Sequence, residues 1–446
     1  MGRLKSYIKH ISAYGLGVMF FLTAPVEHIE ASEPDLEAEA AILVDAQTGK
    51  MIYQEEVDVI LPPASMTKIM SEYLVHEALD EGTISWDDEV TITDEVNALS
   101  HDTALSNVFL SQDETYTVQE LYEAMTIYSA NAATVALAEE ISGSETEFVE
   151  DMNAKAEELG LTEYNFVNSS GLNNSSMQGL HPDGTDADAE NEMSARATAL
   201  LTYHLLNDYP EVLDTASIEE MTFKEGTDDA VDMRNWNEML PGMGSHGYEG
   251  MDGLKTGYTE LAGNAFTGTA ERDDTRFISV VMRTDSREAR FEETEKLMDY
   301  GFDNFQEIEI VEAGYTPEEA EAISVTRGEE DQVAASTTEA IQTLIEEGEE
   351  EDYETSFAFA DSVLNDEGEL VAPLEEGEVI GQLSAEYHGE QDYDYLQSDM
   401  QNHKTVEVVL DEGVEEAGWF SLTMRSIGGF FSGIWNQATD TVRGWF

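Results

Sequence analysis

From Ala38 the chain sets apolar runs against turn residues, and AAILVDAQTGKMIY, with a glycine between its two runs, predicts a β-hairpin. Pro62 and Pro63 then stop extended structure and set up a helix start near Ala64 or Ser65. Within SMTKIMSEYLVHEALDEG, Met66, Ile69, Met70, Leu74 and Leu79 recur at helical spacing and Gly82 supplies a stop. This predicts a mostly buried helix with Ser65 at its N-terminus. Helical patterns follow in TVQELYEAMTIYSANAATVALAEEIS and ETEFVEDMNAKAEELG. They give way to NSSGLNNSSMQGLHPDGTDADAEN, whose polar and glycine content predicts a long surface loop. After a helix near SARATALLTYHLL, the segments GMDGLKTGYT, NAFTGTAER and RFISVVMRT predict successive strands, and SREARFEETEKLMDYGF a closing helix. Strands at both ends with helices between them predict an α/β sandwich whose sheet pairs chain-distant segments.

After Phe302, short alternating segments such as SFAFADSVL, VIGQLSAEY and KTVEVVL predict a small all-β domain, with the acidic run EEGEEEDYE as a solvated loop. The two ends of the chain differ from everything between them. Arg3, Lys5 and Lys9 precede the apolar run AYGLGVMFFLTAPV, a secretory signal peptide pattern over residues 1–31 that is too short for a membrane span. At the other end, Phe420, Met424, Ile427, Phe431, Ile434, Ala438, Val442 and Trp445 follow helical spacing, and Arg425, Asp440 and Arg443 are the only charges. Residues 417–446 thus predict an amphipathic helix that lies in a membrane surface.

Composition narrows the chemistry. The 446-residue chain has no cysteine, which removes disulfides, thiolate metal sites and cysteine nucleophiles. Its formal charge of −76 excludes a nucleic-acid partner, because a phosphate backbone is met by clustered lysine and arginine. Self-repulsion of that size points to a protein that works in high salt or at high external pH. Against this background the lysine in PPASMTKIM stands out, since acidic residues outnumber basic ones 96 to 20. One helical turn after Ser65, Lys68 lies on the same face and can approach the hydroxyl, as a built-in base for a serine nucleophile.

A Ser-His-Asp triad is the first rival. No G-x-S-x-G occurs and the histidines lie in no recognisable frame around a serine, so histidine is a poor candidate base and His76 is expected to be a core or surface residue. Two further elements accompany SMTK. YSAN presents Ser129 and Asn131, and LKTGYT supplies Lys255, Thr256 and Gly257 on a strand. An S-x-x-K alone is a weak signal, but three elements in this order, about 60 and then about 125 residues apart, are a strong one.

These elements, with PASMTKIM, IYSANAATVALAE, NSSGL, MSARATALL, NWNEML and GMDGLKTGYTELAGNAFTGTAER, resemble the successive blocks of the D-alanyl-D-alanine carboxypeptidases, which are low-molecular-mass penicillin-binding proteins. The resemblance runs from about Glu37 to Phe302, and LVAPLEEGEVIGQL is similar to the β domain that follows in that family. It implies an α/β (α+β) catalytic domain of the serine β-lactamase and penicillin-binding-protein type over 32–303, an all-β domain over 304–416 and a membrane-anchoring helix. It also implies release of the terminal D-alanine from a peptidoglycan stem peptide, covalent inhibition by β-lactams, and attachment to the outer face of the cytoplasmic membrane. No cofactor or metal is called for.

In that scheme Ser65 attacks the peptide carbonyl and Lys68, uncharged beside the cation Lys255, takes its proton. Ser129 relays a proton to the leaving amine, and Asn131 binds Lys68 and substrate. Lys255 and Thr256 hold the terminal carboxylate, Gly257 leaves room for substrate backbone, and the N–H groups of Ser65 and Tyr258 form the oxyanion hole. Arg196, Arg283, Arg287 and Arg290 are expected to be structural ion-pairing groups. Two other readings share the three elements: a serine β-lactamase, and a catalytically silent wall-binding or β-lactam-sensing protein.

Overall fold

The computed structural model of the chain describes residues 32–418 apart from 228, 347, 390, 399 and 401–404. The expected signal peptide and nearly all of the expected C-terminal helix lie outside the described residues. Five strands build the central sheet: β1 (Ala40–Asp45), β2 (Met51–Glu55), β3 (Met251–Thr259), β4 (Gly263–Arg272) and β5 (Thr275–Thr284). Their order is β2-β1-β5-β4-β3, antiparallel throughout, with Ala40 opposite Met282 and Asp45 opposite Phe277. The hairpin and the pairing of chain-distant segments are as the sequence predicts.

Apolar residues run without a break from Ala40 to Val44 in β1 because both of its faces are covered. Ala40, Ile42 and Val44 pack into one core, with Ile69 and Met70 of α1 (Lys68–Asp80), Leu200, Leu201 and Leu205 of α6 (Ala195–Asp208) and Val212 of the short α7 (Val212–Ala216). Ala41 and Leu43 point the other way, to Phe291, Leu297 and Met298 of α8 (Ala289–Asn304). A shift of one residue in register would exchange these two sets, so the side-chain sizes on each face pin the pairing.

A second core joins the helices α2 (Asp94–Ser100), α3 (Val118–Tyr128) and α4 (Asn131–Ser142), with Val96, Leu121, Met125 and Ala133 among its members. Helix α3 starts on a capping box in which Thr117 and Glu120 satisfy each other's backbone N–H groups. The helical pattern through TVQELYEAMTIYSANAATVALAEEIS is two helices rather than one. Ser129 takes a left-handed conformation (φ 58°, ψ 34°), which ends α3 and turns the chain into α4.

Ser65 likewise sits in a 3-10 turn, Ala64–Thr67, from which α1 continues at Lys68. The polar stretch after α5 (Glu145–Glu158) departs most from expectation. Its tip is exposed, but Asn168, Ser169, Ser170, Asn174 and Asn191 are buried, for reasons given below.

Beyond α8 the chain forms β structure around Val311, Ile323, Val325, Ile380, Leu383, Val408 and Leu410. Tyr353–Phe359, Val379–Tyr387 and Thr405–Leu410 are neighbouring antiparallel strands. The acidic run is not wholly solvated: Glu349 is buried and accepts hydrogen bonds from the Tyr387 and Tyr393 hydroxyls, the latter at 2.9 Å. Lys50 reaches this part of the chain, donating to the Leu344 carbonyl at 3.0 Å with its ammonium 3.3 Å from the centre of the Tyr393 ring. Among the described residues no helix is long and apolar enough to cross a membrane.

Candidate active site

The 3-10 turn lifts Ser65 to the floor of a cleft, while Lys68, at the first position of α1, is fully buried beneath it. Lys68 Nζ lies 3.2 Å from Ser65 Oγ, 2.8 Å from Asn131 Oδ1 and 2.6 Å from the Ser170 carbonyl oxygen. A neutral amine has two N–H bonds and one lone pair. The amide and carbonyl oxygens can only accept, so they take the two N–H bonds and leave the lone pair for the serine hydroxyl. Burial pushes the Lys68 amine well below the usual lysine range, the charge of Lys255 pushes it the same way, and Glu72 opposes both.

The Ser170 carbonyl is held by the polar stretch read as a surface loop. Asn168 Oδ1 accepts from the Gly171 N–H at 2.7 Å, and Asn191 Oδ1 from the Val167 N–H at 2.7 Å. The Asn191 amide also donates to Thr67 Oγ1 and to the Asn168 carbonyl, both at 2.9 Å. Glu145 Oε1 accepts from the Ser169 N–H and hydroxyl at 3.0 and 2.7 Å, and Ser71 of α1 donates to the Ser169 carbonyl at 2.7 Å. Gly171 closes the turn at φ +81°, its α-carbon against the Ala64 carbonyl. Asparagines and serines are buried here because each one satisfies main-chain groups that helices and strands do not.

Asn131 is fixed from the other side: its amide nitrogen donates to the Ser106 carbonyl at 3.0 Å, which leaves the amide oxygen for Lys68. Ser129, also buried, borders the same cleft. On the edge strand β3, Thr256, Gly257 and Tyr258 form the opposite wall, with Tyr258 well exposed. Lys255 is buried behind them, and burial first, with Arg290 adding to it and Glu72 resisting, lowers its amine to about 8.

Gly257 has a structural task in addition to the one expected at the cleft. A β-carbon there would stand 2.5 Å from the Pro63 carbonyl, so the glycine lets β3 close onto the turn that carries Ser65. All eight residues singled out in the sequence therefore meet at one place, six lining a cleft of about 540 Å³ and the two lysines behind it.

Of the four arginines, three pair as expected: Arg196 with Asp58, Arg283 with Glu39 and Arg287 with Glu238. Arg290 does not. It is 3% exposed, borders the cleft, and has no ion pair among the described residues. Burial and then the neighbouring Arg287 lower its guanidinium to about 10. The sequence held a signal for it, because Arg290 shares the buried stripe of α8 with Thr294, Leu297 and Gly301. Trp236, which donates to the Tyr128 carbonyl at 2.9 Å and carries Arg287 over its ring, is a further wall residue with no assigned role in the sequence.

A serine with a buried lysine 3.2 Å away, sheltered under the edge strand of an antiparallel sheet, is the arrangement a lysine-activated serine hydrolase requires. Comparison gives the class a narrower form. Residues 27–286 match the family described as D-alanyl-D-alanine carboxypeptidase, and residues 305–416 match the penicillin-binding protein 5 C-terminal domain. D-alanyl-D-alanine carboxypeptidase DacF of Bacillus subtilis (strain 168) is 30% identical over 424 residues, which cover 94% of this chain and 97% of that protein. Among solved structures, a peptidoglycan synthesis regulatory factor (PBP3) from Streptococcus pneumoniae is similar with a TM-score of 0.72 and 34% identity, over 85% of this chain and 100% of the other. Penicillin binding protein 5 from Haemophilus influenzae follows with a TM-score of 0.66 and 28% identity, over 86% and 99%. The chain belongs to the D-alanyl-D-alanine carboxypeptidase family.

Proposed function

We propose that the protein is a serine-type carboxypeptidase that removes the terminal D-alanine from peptidoglycan stem peptides through an acyl-enzyme on Ser65, and that β-lactams acylate the same oxygen. The observation that carries this reading is the environment of Lys68, whose two acceptors and one hydroxyl neighbour match a free amine acting as base. Ser65 Oγ attacks the carbonyl carbon between the two D-alanines as its proton passes to Lys68 Nζ. The N–H groups of Ser65 and Tyr258 receive the oxyanion, a contribution of about 3 kcal/mol for each such donor. Collapse breaks the C–N bond, and the proton travels by Ser129 to the departing D-alanine amine. Water then adds to the acyl carbon, Lys68 takes the water's proton, and Oγ recovers one as it leaves.

Thr256, with the positive charge of Arg290 at the wall and Lys255 behind it, receives the terminal carboxylate. This task separates Lys255 from Lys68: one must be a cation when the other is not.

Peptidoglycan lies outside the cytoplasm, and the enzyme acts there. The same reading makes residues 1–31 an export signal, 32–303 the catalytic domain, 304–416 a β spacer and 417–446 a helix that holds the enzyme on the outer face of the cytoplasmic membrane. Incubation with a D-Ala-D-Ala-ended peptide and with a penicillin tests the chemistry. D-Alanine release and a stable adduct are expected, both lost in Ser65→Ala. Rapid lactam hydrolysis without D-alanine release would replace the carboxypeptidase by a β-lactamase, and neither reaction would leave a silent binding protein. Truncation after Ala417 is expected to free the protein from membranes, and undiminished membrane recovery refutes the anchor.

A further inference from the structure

One turn beyond Lys68 on the same face of α1 stands Glu72, with none of its surface exposed. Neither carboxyl oxygen has a hydrogen-bond partner among the described residues, and neither does the buried Thr126 hydroxyl of α3. Thr126 is near enough to ease the carboxylate without forming a hydrogen bond to it. The titratable groups that face Glu72 are Lys68 from its own helix, Lys255 from β3 and Tyr122 from α3. Arg290 of α8 presses on Lys255 from behind. His76, a turn further along α1, engages Tyr122 at 2.9 Å and Glu211 at 3.4 Å.

A carboxyl group this bare is costly unless it is protonated or balanced by a cation. Its two lysine neighbours are unequal. The amine of Lys68 is already engaged by Asn131 Oδ1 at 2.8 Å and the Ser170 carbonyl at 2.6 Å, whereas Lys255 has no ion pair among the described residues and Glu72 is the carboxylate that faces it. We propose that Glu72 is a positioning residue for charge: its buried carboxylate keeps Lys255 a cation while Lys68 stays a free amine. The proposal rests on the tasks given to the two lysines above. It explains why a hydrolase would keep an unsatisfied acid in the core beside its base.

The pH dependence supplies the test. Burial raises Glu72 itself to about 7, so its field is present only above that pH and below it the group is as neutral as glutamine. The readout is the second-order rate of Ser65 acylation by a fluorescent penicillin between about pH 5 and 10, for the full chain and for Glu72→Gln and Glu72→Asp. Wild type and Glu72→Gln should coincide below about pH 6, and the alkaline limb of Glu72→Gln should lie lower by roughly one pH unit. Glu72→Asp, which keeps the charge on a shorter stem, should recover part of that shift, and it carries the test if the glutamine variant does not fold. An alkaline limb that stays in place, or a rate lowered by one constant factor at every pH, overturns the proposal. Absence of acylation in the wild type at every pH overturns instead the catalytic reading on which it stands.

Discussion

Gly171→Ala tests how firmly the Ser170 carbonyl is held. At φ +81° a residue with a β-carbon costs about 1–2 kcal/mol in backbone strain. The new methyl would stand 2.9 Å from Thr67 Oγ1 and closer still to the Ala64 carbonyl, and overpacking of this kind costs about 1–3 kcal/mol. The sum is a destabilisation of about 2–5 kcal/mol. Both obstacles belong to the segment that carries Ser65, so relief requires the turn and the nucleophile to separate. A retreat of roughly 1 Å would open the 2.6 Å contact between Lys68 and the Ser170 carbonyl beyond hydrogen-bond range. One N–H of the amine would lose its acceptor, and misplacement on that scale costs about a hundredfold in rate. Urea unfolding reads the first quantity and the rate of fluorescent penicillin labelling the second. A variant within about 1 kcal/mol of wild type that labels within about twofold of its rate would refute the view that this turn sets the geometry of the base.

Three further outcomes follow from the same structure. Burial raises the Glu145 carboxyl from 4.5 to about 7, so the fold binds a proton that the unfolded chain has released; stability should fall as pH rises from about 4.5 to 7 and then level. Glu145→Gln removes about 3 kcal/mol of that slope in urea titrations at pH 5 and pH 8, and a difference that is flat in pH would contradict the assignment. Asn131→Asp places an anion 2.8 Å from Lys68 Nζ, which favours the ammonium form; acylation at neutral pH should slow by about 10²–10⁴ with the fold retained, whereas a wild-type rate would show that Lys68 is not the base. With a formal charge of −76, the melting temperature should rise as NaCl goes from about 0.1 M to about 1 M and the screening length falls from about 10 Å to about 3 Å; a flat response would remove self-repulsion as a factor.

The sequence displayed the reacting groups better than the groups that hold them. Ser65 and Lys68 are one turn apart and Ser129 and Asn131 are two residues apart, and these short elements become legible once they are taken in order with LKTGYT. The hairpin, the three late strands and the closing helix are legible because the strands are short, largely apolar runs set between turn residues and the helix is a 3.6-residue repeat. The tasks of Ser170 and Asn191 are hidden because their partners lie across the fold and their polar surroundings imitate a surface loop, and Glu145 reads as one more acid at the start of a helix. The contact of Gly257 with the Pro63 carbonyl, almost two hundred residues earlier, is likewise invisible in local sequence. Arg290 and Glu72 looked ordinary in a chain with 96 acidic residues, where any single charge has an abundance of imagined partners.

The central sheet also constrains how such a molecule comes into being. Strand β1 lies between β2 and β5, and its partner across that second boundary, Ala40 facing Met282, is made some 240 residues later. Until β5 emerges, β1 has one free edge and the segment bearing Lys255 has no complete sheet to join. Long-range closure of this kind is slow and leaves strand edges open to wrong pairing. Each newly made molecule is therefore inert towards the cell wall until its last central strand inserts, and a variant that delays that insertion would reduce yield without touching the chemistry.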